Sequence, residues 1–152
     1  MAETMTNEIM ATEEQSKYLI FSVRGIDYGV EIGYVTEIIG IQPITAIPHS
    51  PQYIKGIINI RGTIVPVVDM RLRFNFEETE YGEKTCIISL KKDNVHLGLI
   101  VDDVVDVIQL SPETVLPLPA DGNDSKNKFL KSIGKQQGMV RQLVDINKIY
   151  GD

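Results

Sequence analysis

Residues 56–69, GIINIRGTIVPVVD, decide how this chain is read. Two apolar, β-branched runs at 56–60 and 63–68 flank the pair Arg61-Gly62, which predicts a hairpin. The turn needs the glycine, because a residue without Cβ adopts positive φ freely; nothing in a turn needs the guanidinium. Pro66, inside the second run, has no amide hydrogen to give a ladder, so it predicts an edge strand or a bulge.

Upstream, YLIFSV (18–23) reads as a strand, residues 24–27 as a turn and residues 28–30 as the start of a return strand. Ile32, Val35, Ile38 and Ile39 then recur at helical spacing, which predicts a short amphipathic helix over 31–39, ended by Gly40 and Pro43. Residues 44–47 form an extended piece closed by PHSP (48–51). Downstream, residues 85–90 and 95–101 make a second hairpin around 91–94, and 104–110 continues the pattern. Residues 112–119 are a proline-punctuated connection, DGNDSK (121–126) reads as a flexible loop, and 129–133 and 139–144 are the last strands. The chain is predicted to be mainly β.

The hairpin is repeated. YIKGIINIRGTIVPVVDMRLRF (53–74) aligns without a gap on FLKSIGKQQGMVRQLVDINKIY (129–150). Lys55 meets Lys131, Gly62 meets Gly138, Asp69 meets Asp145 and Phe74 meets Tyr150. A second pair of segments, YGVEIGYVTEII (28–39) and LGLIVDDVVDVI (97–108), matches Gly29 with Gly98 and Glu37 with Asp106. Apolar periodicity alone does not align glycines and acids, and the two matches occur in the same order. Two similar small β-barrels of about five strands each follow, an arrangement that suits short strands punctuated by glycine and proline. The repeat does not tell whether strands are exchanged between them.

Composition narrows the function. At 152 residues the chain is long enough to bury a real core, and its 43% hydrophobic and 24% charged residues are ordinary for a globular protein. A net charge of −6 argues against nucleic acid, since phosphate binding needs a concentrated basic surface. The single cysteine, Cys86, excludes an internal disulfide and a multi-cysteine metal site, and its apolar neighbours suggest an inert buried thiol. Residues 1–16 read as an acidic, disordered leader without the features of a signal peptide. No apolar run approaches the ~20 residues that span a bilayer, so a cytoplasmic protein without direct membrane insertion is expected.

Catalytic parts are scarce. His49 and His96 lie far apart in sequence, and no histidine, cysteine and carboxylate cluster has metal-ligand spacing, so neither metal nor cofactor is expected. Asp102, Asp103 and Asp106 form an acidic patch whose remote reading is a carboxylate-dependent hydrolase and whose plainer reading is a solvated face. The repeated Asp69 and Asp145 suit caps of a turn or of the segment that follows. The repeat also isolates what is not scaffold: where the first copy has Arg61 the second has Gln137. Either this arginine offers its planar fork of donors to a partner's carboxylate, or it pairs within the chain, for instance with Glu37.

The motif N-I-R-G-x-x-x-P-V-V-D (59–69), with V-x-E-I upstream (35–38) and LGLIVDDVVDVI downstream, closely resembles the CheW family of bacterial chemotaxis adaptors. The resemblance runs from Tyr18 to Tyr150 and implies one CheW-like domain over 17–152, built of two SH3-like, five-stranded barrels roughly at 18–80 and 81–150. With no room for a kinase or receiver domain, it implies a stand-alone, non-catalytic adaptor without cofactors, monomeric alone. Such adaptors join chemoreceptor cytoplasmic tips to the regulatory domain of the histidine kinase CheA, in arrays at the inner face of the membrane. By match to the family pattern, Glu37 and Arg61 would contact the receptor, and Phe21, Ile32 and Val35 the kinase. A second kinase contact would fall at 116–118, where this chain has Leu116 in place of the basic residue that family members can carry. Arg141 and Gln142 stand where apolar residues are common, which predicts a polar, solvent-facing edge on the last strand. An adaptor of a non-flagellar chemosensory pathway is the alternative within the family.

Overall fold

The computed structural model of the protein describes residues 16–118 and 128–151. Residues 1–15 of the acidic leader and the loop expected at 121–126 lie outside the described residues. The hairpin in the motif is present: β4 (Ile54–Ile60) pairs antiparallel with β5 (Thr63–Asp69), and Ile60 faces Thr63 across a two-residue turn. Arg61 has φ 48° and Gly62 φ 87°. Positive φ at both central residues is the turn whose twist matches the right-handed twist of the flanking strands. The Asn59 carboxamide oxygen accepts the Gly62 N–H at 2.7 Å and closes the loop.

The same turn recurs three times. Arg24-Gly25 joins β1 (Ser16–Val23) to β2 (Ile26–Glu31), and Gln137-Gly138 joins β10 (Leu130–Gln136) to β11 (Met139–Val144), all with positive φ. Asp93-Asn94 joins β6 (Cys86–Lys92) to β7 (Val95–Val101), a tighter turn than the one expected over 91–94. The remaining strands are β3 (Val35–Gly40), β8 (Asp103–Leu110) and β9 (Val115–Pro117). They build a six-stranded sheet in the order β8-β1-β2-β11-β10-β9 and a five-stranded sheet in the order β3-β6-β7-β5-β4.

Two compact units emerge, and neither is one half of the sequence. Among the described residues, the first takes 16–20, Asp27–Gly33, 106–118 and 128–151; the second takes Phe21–Ile26 and Tyr34–Val105. The first is centred on Tyr18, Ile20, Ile108, Leu110 and Leu143. The second is centred on Ile58, Val65, Val67, Ile87 and Ile100, with Ile39, Ile44 and Ile60 packed against them.

Residues aligned by the repeat occupy equivalent places. β5 lies parallel to β7 with Val67 opposite Gly98, and β11 lies parallel to β2 with Leu143, the counterpart of Val67, opposite Gly29. A Cβ at Gly98 would stand 2.9 Å from both Val67 and Ile87, and one at Gly29 2.8 Å from Leu143. The two glycines are therefore kept for the same reason, the close approach of a parallel neighbour's side chain. Each hairpin then runs into a short helix, α1 (Met70–Arg73) capped by the Asp69 carboxylate and α2 (Ile146–Tyr150) capped by that of Asp145.

Three expectations are corrected. Residues 31–39 are not an amphipathic helix: Ile32–Tyr34 is a single 3-10 turn and Val35–Gly40 is β3, antiparallel to β6. Along β3 half-buried Val35, Glu37 and Ile39 alternate with exposed Thr36, Ile38 and Gly40, but the acid takes a half-buried place and an isoleucine an exposed one, so the sequence lacks the alternation that would have announced a strand. Pro66 is not on an edge strand, because β5 lies between β7 and β4. Ile57, opposite Pro66, directs its N–H and C=O at Thr45 (2.8 and 2.9 Å), so it needs nothing from β5 and the missing proline donor costs no ladder bond there. The polar pair of β11 is not its solvent-facing part: Arg141 is 6% exposed and Gln142 half-buried, whereas Met139 and Val140 are 52% and 54% exposed.

Candidate functional site

Glu37 and Arg61 meet. β3 and β4 are the two edge strands of the five-stranded sheet, and Arg61 follows directly on β4, so a contact between the two residues ties the sheet's edges together. Arg61 donates from one terminal guanidinium nitrogen to a Glu37 carboxylate oxygen at 2.6 Å. The left-handed conformation of Arg61 fixes where its stem departs, and the pairing of Glu37 with Ser89 of β6 fixes the carboxylate. Thr36 beside it donates its hydroxyl to the Ser89 carbonyl at 3.0 Å.

The pair is asymmetric. The Arg61 side chain is 80% exposed and that of Glu37 only 22%. A salt bridge with so exposed a partner contributes about 0–1 kcal/mol to folding, so stability does not explain the arginine. Among the described residues, Glu37 is the one acceptor that the Arg61 guanidinium meets. Both readings open at the sequence level are thus physically compatible: the pair holds the guanidinium in place and leaves most of its donors outward.

The pair helps line an open cavity of about 260 Å³, together with Thr36, Ile60, Thr63, Val65, Ser89 and His96. It is smaller than the ~300–1,000 Å³ usual for small-molecule sites and is fringed by hydroxyl groups. His96 in this cavity is the residue that sequence reasoning missed. The signal was the Asp93-Asn94 turn, whose tightness places His96 opposite Lys91 and on the same face as Gly98, two residues along.

The apolar residues expected to meet a kinase behave differently from one another. Phe21 is 0% exposed, a core residue of β1 that has no surface to offer, which corrects its assignment as a contact. Ile32, in the 3-10 turn, and Val35, opening β3, are half-buried. Leu116, on the three-residue strand β9, is exposed.

The acidic patch does not assemble as catalytic machinery. Asp102 receives two hydrogen bonds from the Arg71 guanidinium, at 2.9 and 2.7 Å, and a third from the Arg24 amide at 2.7 Å. Asp106 accepts its neighbour's amide, Val107 N–H, at 2.8 Å. Asp69, besides capping α1, accepts the Tyr81 hydroxyl at 3.0 Å. Burial pushes the Cys86 thiol up from its usual range, with the Asp103 charge adding to it, so the group stays protonated and unreactive. His49 sits at φ 62° on an exposed loop. Among the described residues, no group of three or more His, Cys, Asp or Glu could hold a metal ion. No helix among them is long and apolar enough to cross a membrane.

Known proteins resemble the chain along most of its length. The family model of the CheW-like domain matches residues 17–152. Chemotaxis protein CheW of Klebsiella aerogenes is 35% identical over 133 residues, covering 88% of this chain and 80% of the relative. Chemotaxis protein CheW of Bacillus subtilis is 32% identical over 145 residues, covering 95% and 91%. The crystal structure of the scaffolding protein TtCheW from Thermoanaerobacter tengcongensis superposes with a TM-score of 0.79 at 31% identity, covering 86% of this chain and 89% of that one.

Proposed function

From the premise that this chain belongs to the CheW-like domain family, we propose that it couples chemoreceptor cytoplasmic tips to the histidine kinase CheA. The protein is a non-catalytic scaffold adaptor of chemotaxis signalling, as its family match and named relatives establish. The finer assignment concerns its partners. The observation that carries it is the Arg61 guanidinium, held by Glu37 on a rigid two-residue turn yet four-fifths exposed. A long side chain kept in that state contributes little to folding and is suited to a partner's carboxylate. With the Glu37 carboxylate beside it, the surface offers both signs of charge and repels a mismatched partner. Glu37 and Arg61 are therefore assigned to the receptor tip, and the half-buried Ile32 and Val35 to the regulatory domain of the kinase. Recruitment to the inner face of the membrane then comes through the receptors.

Replacement of Arg61 tests this directly. Arg61→Glu places a like charge beside Glu37 and is expected to weaken binding to a receptor-tip fragment at least tenfold in titration calorimetry. Kinase binding should be unchanged, and the thermal midpoint should fall by no more than a few degrees. Receptor binding within twofold of the parent would remove Arg61 from the contact.

A further inference from the structure

The six-stranded sheet ends on β8, which is terminal in the strand order and so keeps one edge without a sheet neighbour. Two hydrogen bonds show which backbone groups lie on that edge. The Val107 N–H is taken by the side chain of its own neighbour Asp106 at 2.8 Å, and the Gln109 carbonyl by the Gln136 carboxamide at 3.3 Å. A strand residue points its N–H and C=O to the same side and alternates with its neighbours, so Val107 and Gln109 face outward and the residues between them face β1. An open groove of about 490 Å³ lies here, lined by residues 106–109 with Lys17, Gln136 and Gln137. Consecutive side chains of a strand point to opposite faces, so a groove that meets four in a row runs along the edge rather than over a face. A second hollow of about 360 Å³ continues it past residues 109–111 to Lys135.

The repeat explains why this edge is open. In the second unit the corresponding opening is crossed by the Glu37–Arg61 ion pair. In the first unit Asp106 stands in place of Glu37 and Gln137 in place of Arg61. The Asp106 carboxylate turns back on the Val107 amide, and the opening is left unlatched. One exposed carboxylate and one long carboxamide bond are what blunt the edge, and the backbone of an incoming strand can replace both. Charge sets what that strand should carry. Lys17 and Lys135 are exposed, and no salt bridge among the described residues takes up either. Val107, 49% exposed, offers an apolar neighbour to a cross-strand side chain.

We propose that the outer edge of β8 is a strand-addition site that takes an extended, acidic segment of a partner protein. The backbone groups of Val107 and Gln109 pair with the main chain of the segment. Its carboxylates reach Lys17 and Lys135, and an apolar side chain between them lies against Val107. The edge from residue 106 to residue 111 has room for about five or six residues of such a segment. It shares no residue with the Glu37–Arg61 surface, so it serves a partner whether or not that surface meets a receptor.

The probe is a peptide blocked at both ends, Glu-Thr-Val-Thr-Val-Thr-Glu, titrated into the isotope-labelled full chain and followed by amide NMR. Shifts centred on the amides of Val107, Gln109, Gln136 and Gln137 are expected, with a dissociation constant below about 1 mM. The same peptide with lysine for both glutamates should bind about five- to tenfold more weakly. Gln109→Pro removes the outward amide while sparing the side that faces β1, and should weaken binding about tenfold. Lys135→Glu, an exposed change that leaves the backbone alone, should weaken it about fivefold and keeps the test decisive if the proline disturbs the strand. Arg61→Glu should bind the peptide as the parent does. No binding, shifts centred elsewhere, or equal affinity for the lysine peptide overturns the site. So do edge amides that move without peptide: with protein concentration, which gives the edge to a second copy, or in Glu13→Gln/Glu14→Gln, which gives it to residues 1–15. Each of these results leaves the receptor assignment standing.

Discussion

Asp69 and Asp145 are equivalent in the repeat but differently employed, and that difference predicts a measurable asymmetry. Asp69 is 1% exposed and its carboxylate accepts the amides of Arg71 (2.9 Å) and Leu72 (3.4 Å) and the Tyr81 hydroxyl (3.0 Å). Among the described residues, the Asp145 side chain accepts one amide, that of Asn147 at 2.9 Å, in an exposed setting. Loss of an N-cap carboxylate costs about 1 kcal/mol. A part-buried hydroxyl bonded to a charged acceptor adds about 1–2 kcal/mol, discounted because Tyr81 can turn to water. Asp145→Ala should therefore cost about 1 kcal/mol and Asp69→Ala about 2–3 kcal/mol. At this chain length that corresponds to a fall in thermal midpoint of about 2–4 °C against about 4–12 °C. Urea unfolding of both variants, of Tyr81→Phe and of Asp69→Ala/Tyr81→Phe supplies the energies and a double-mutant cycle. Coupling of at least about 0.5 kcal/mol between Asp69 and Tyr81 is expected. Equal costs for the two aspartates, or zero coupling, would refute the reasoning.

Arg141→Met should stabilise the protein by about 1–2 kcal/mol in urea, because Arg141 is buried and its Nε meets no hydrogen-bond partner among the described residues; a loss of stability would mean that the guanidinium is compensated. Stability should decline as pH rises past about 10. Burial raises the hydroxyls of Tyr81 and Tyr150, with the Asp69 charge adding at Tyr81 and Tyr150 pushed up to about 12. A group whose folded pKa is raised stabilises fully below its unfolded pKa and less above it. A thermal midpoint that stays level from about pH 9 to 11.5 would contradict this. Gly98→Ala should cost about 1–3 kcal/mol, since the new methyl would stand 2.9 Å from Val67 and Ile87; a neutral result would show that the parallel β5–β7 contact can spread.

The hairpin and its repeat are legible in the sequence because they depend on local chemistry. Arg61-Gly62 and Gln137-Gly138 specify the turn, and Gly29 and Gly98 recur where a parallel strand comes close. β3 is not legible: its isoleucines and valine satisfy a helical spacing, and the strand period is hidden because Glu37 lies half-buried while Ile38 is exposed. Arg141 reads as exposed because its type is usually exposed; only the parallel register of β11 against β2 places it inside. Phe21 lies beyond reach for the same reason, since apolar character does not say which side of a strand faces water. Of the site, Glu37 and Arg61 are legible one at a time. Their meeting follows from edge strands that come together only when the sheet curves, and His96 joins them through the register of a distant hairpin.

Coupling itself is tested most directly by co-sedimentation of the CheA regulatory domain with vesicles bearing a chemoreceptor, with and without this protein. The account predicts that the kinase domain pellets with the vesicles only when the protein is added, and that Arg61→Glu abolishes the effect. Equal pelleting in its absence, or none in its presence, would contradict the claim that this chain joins receptor to kinase.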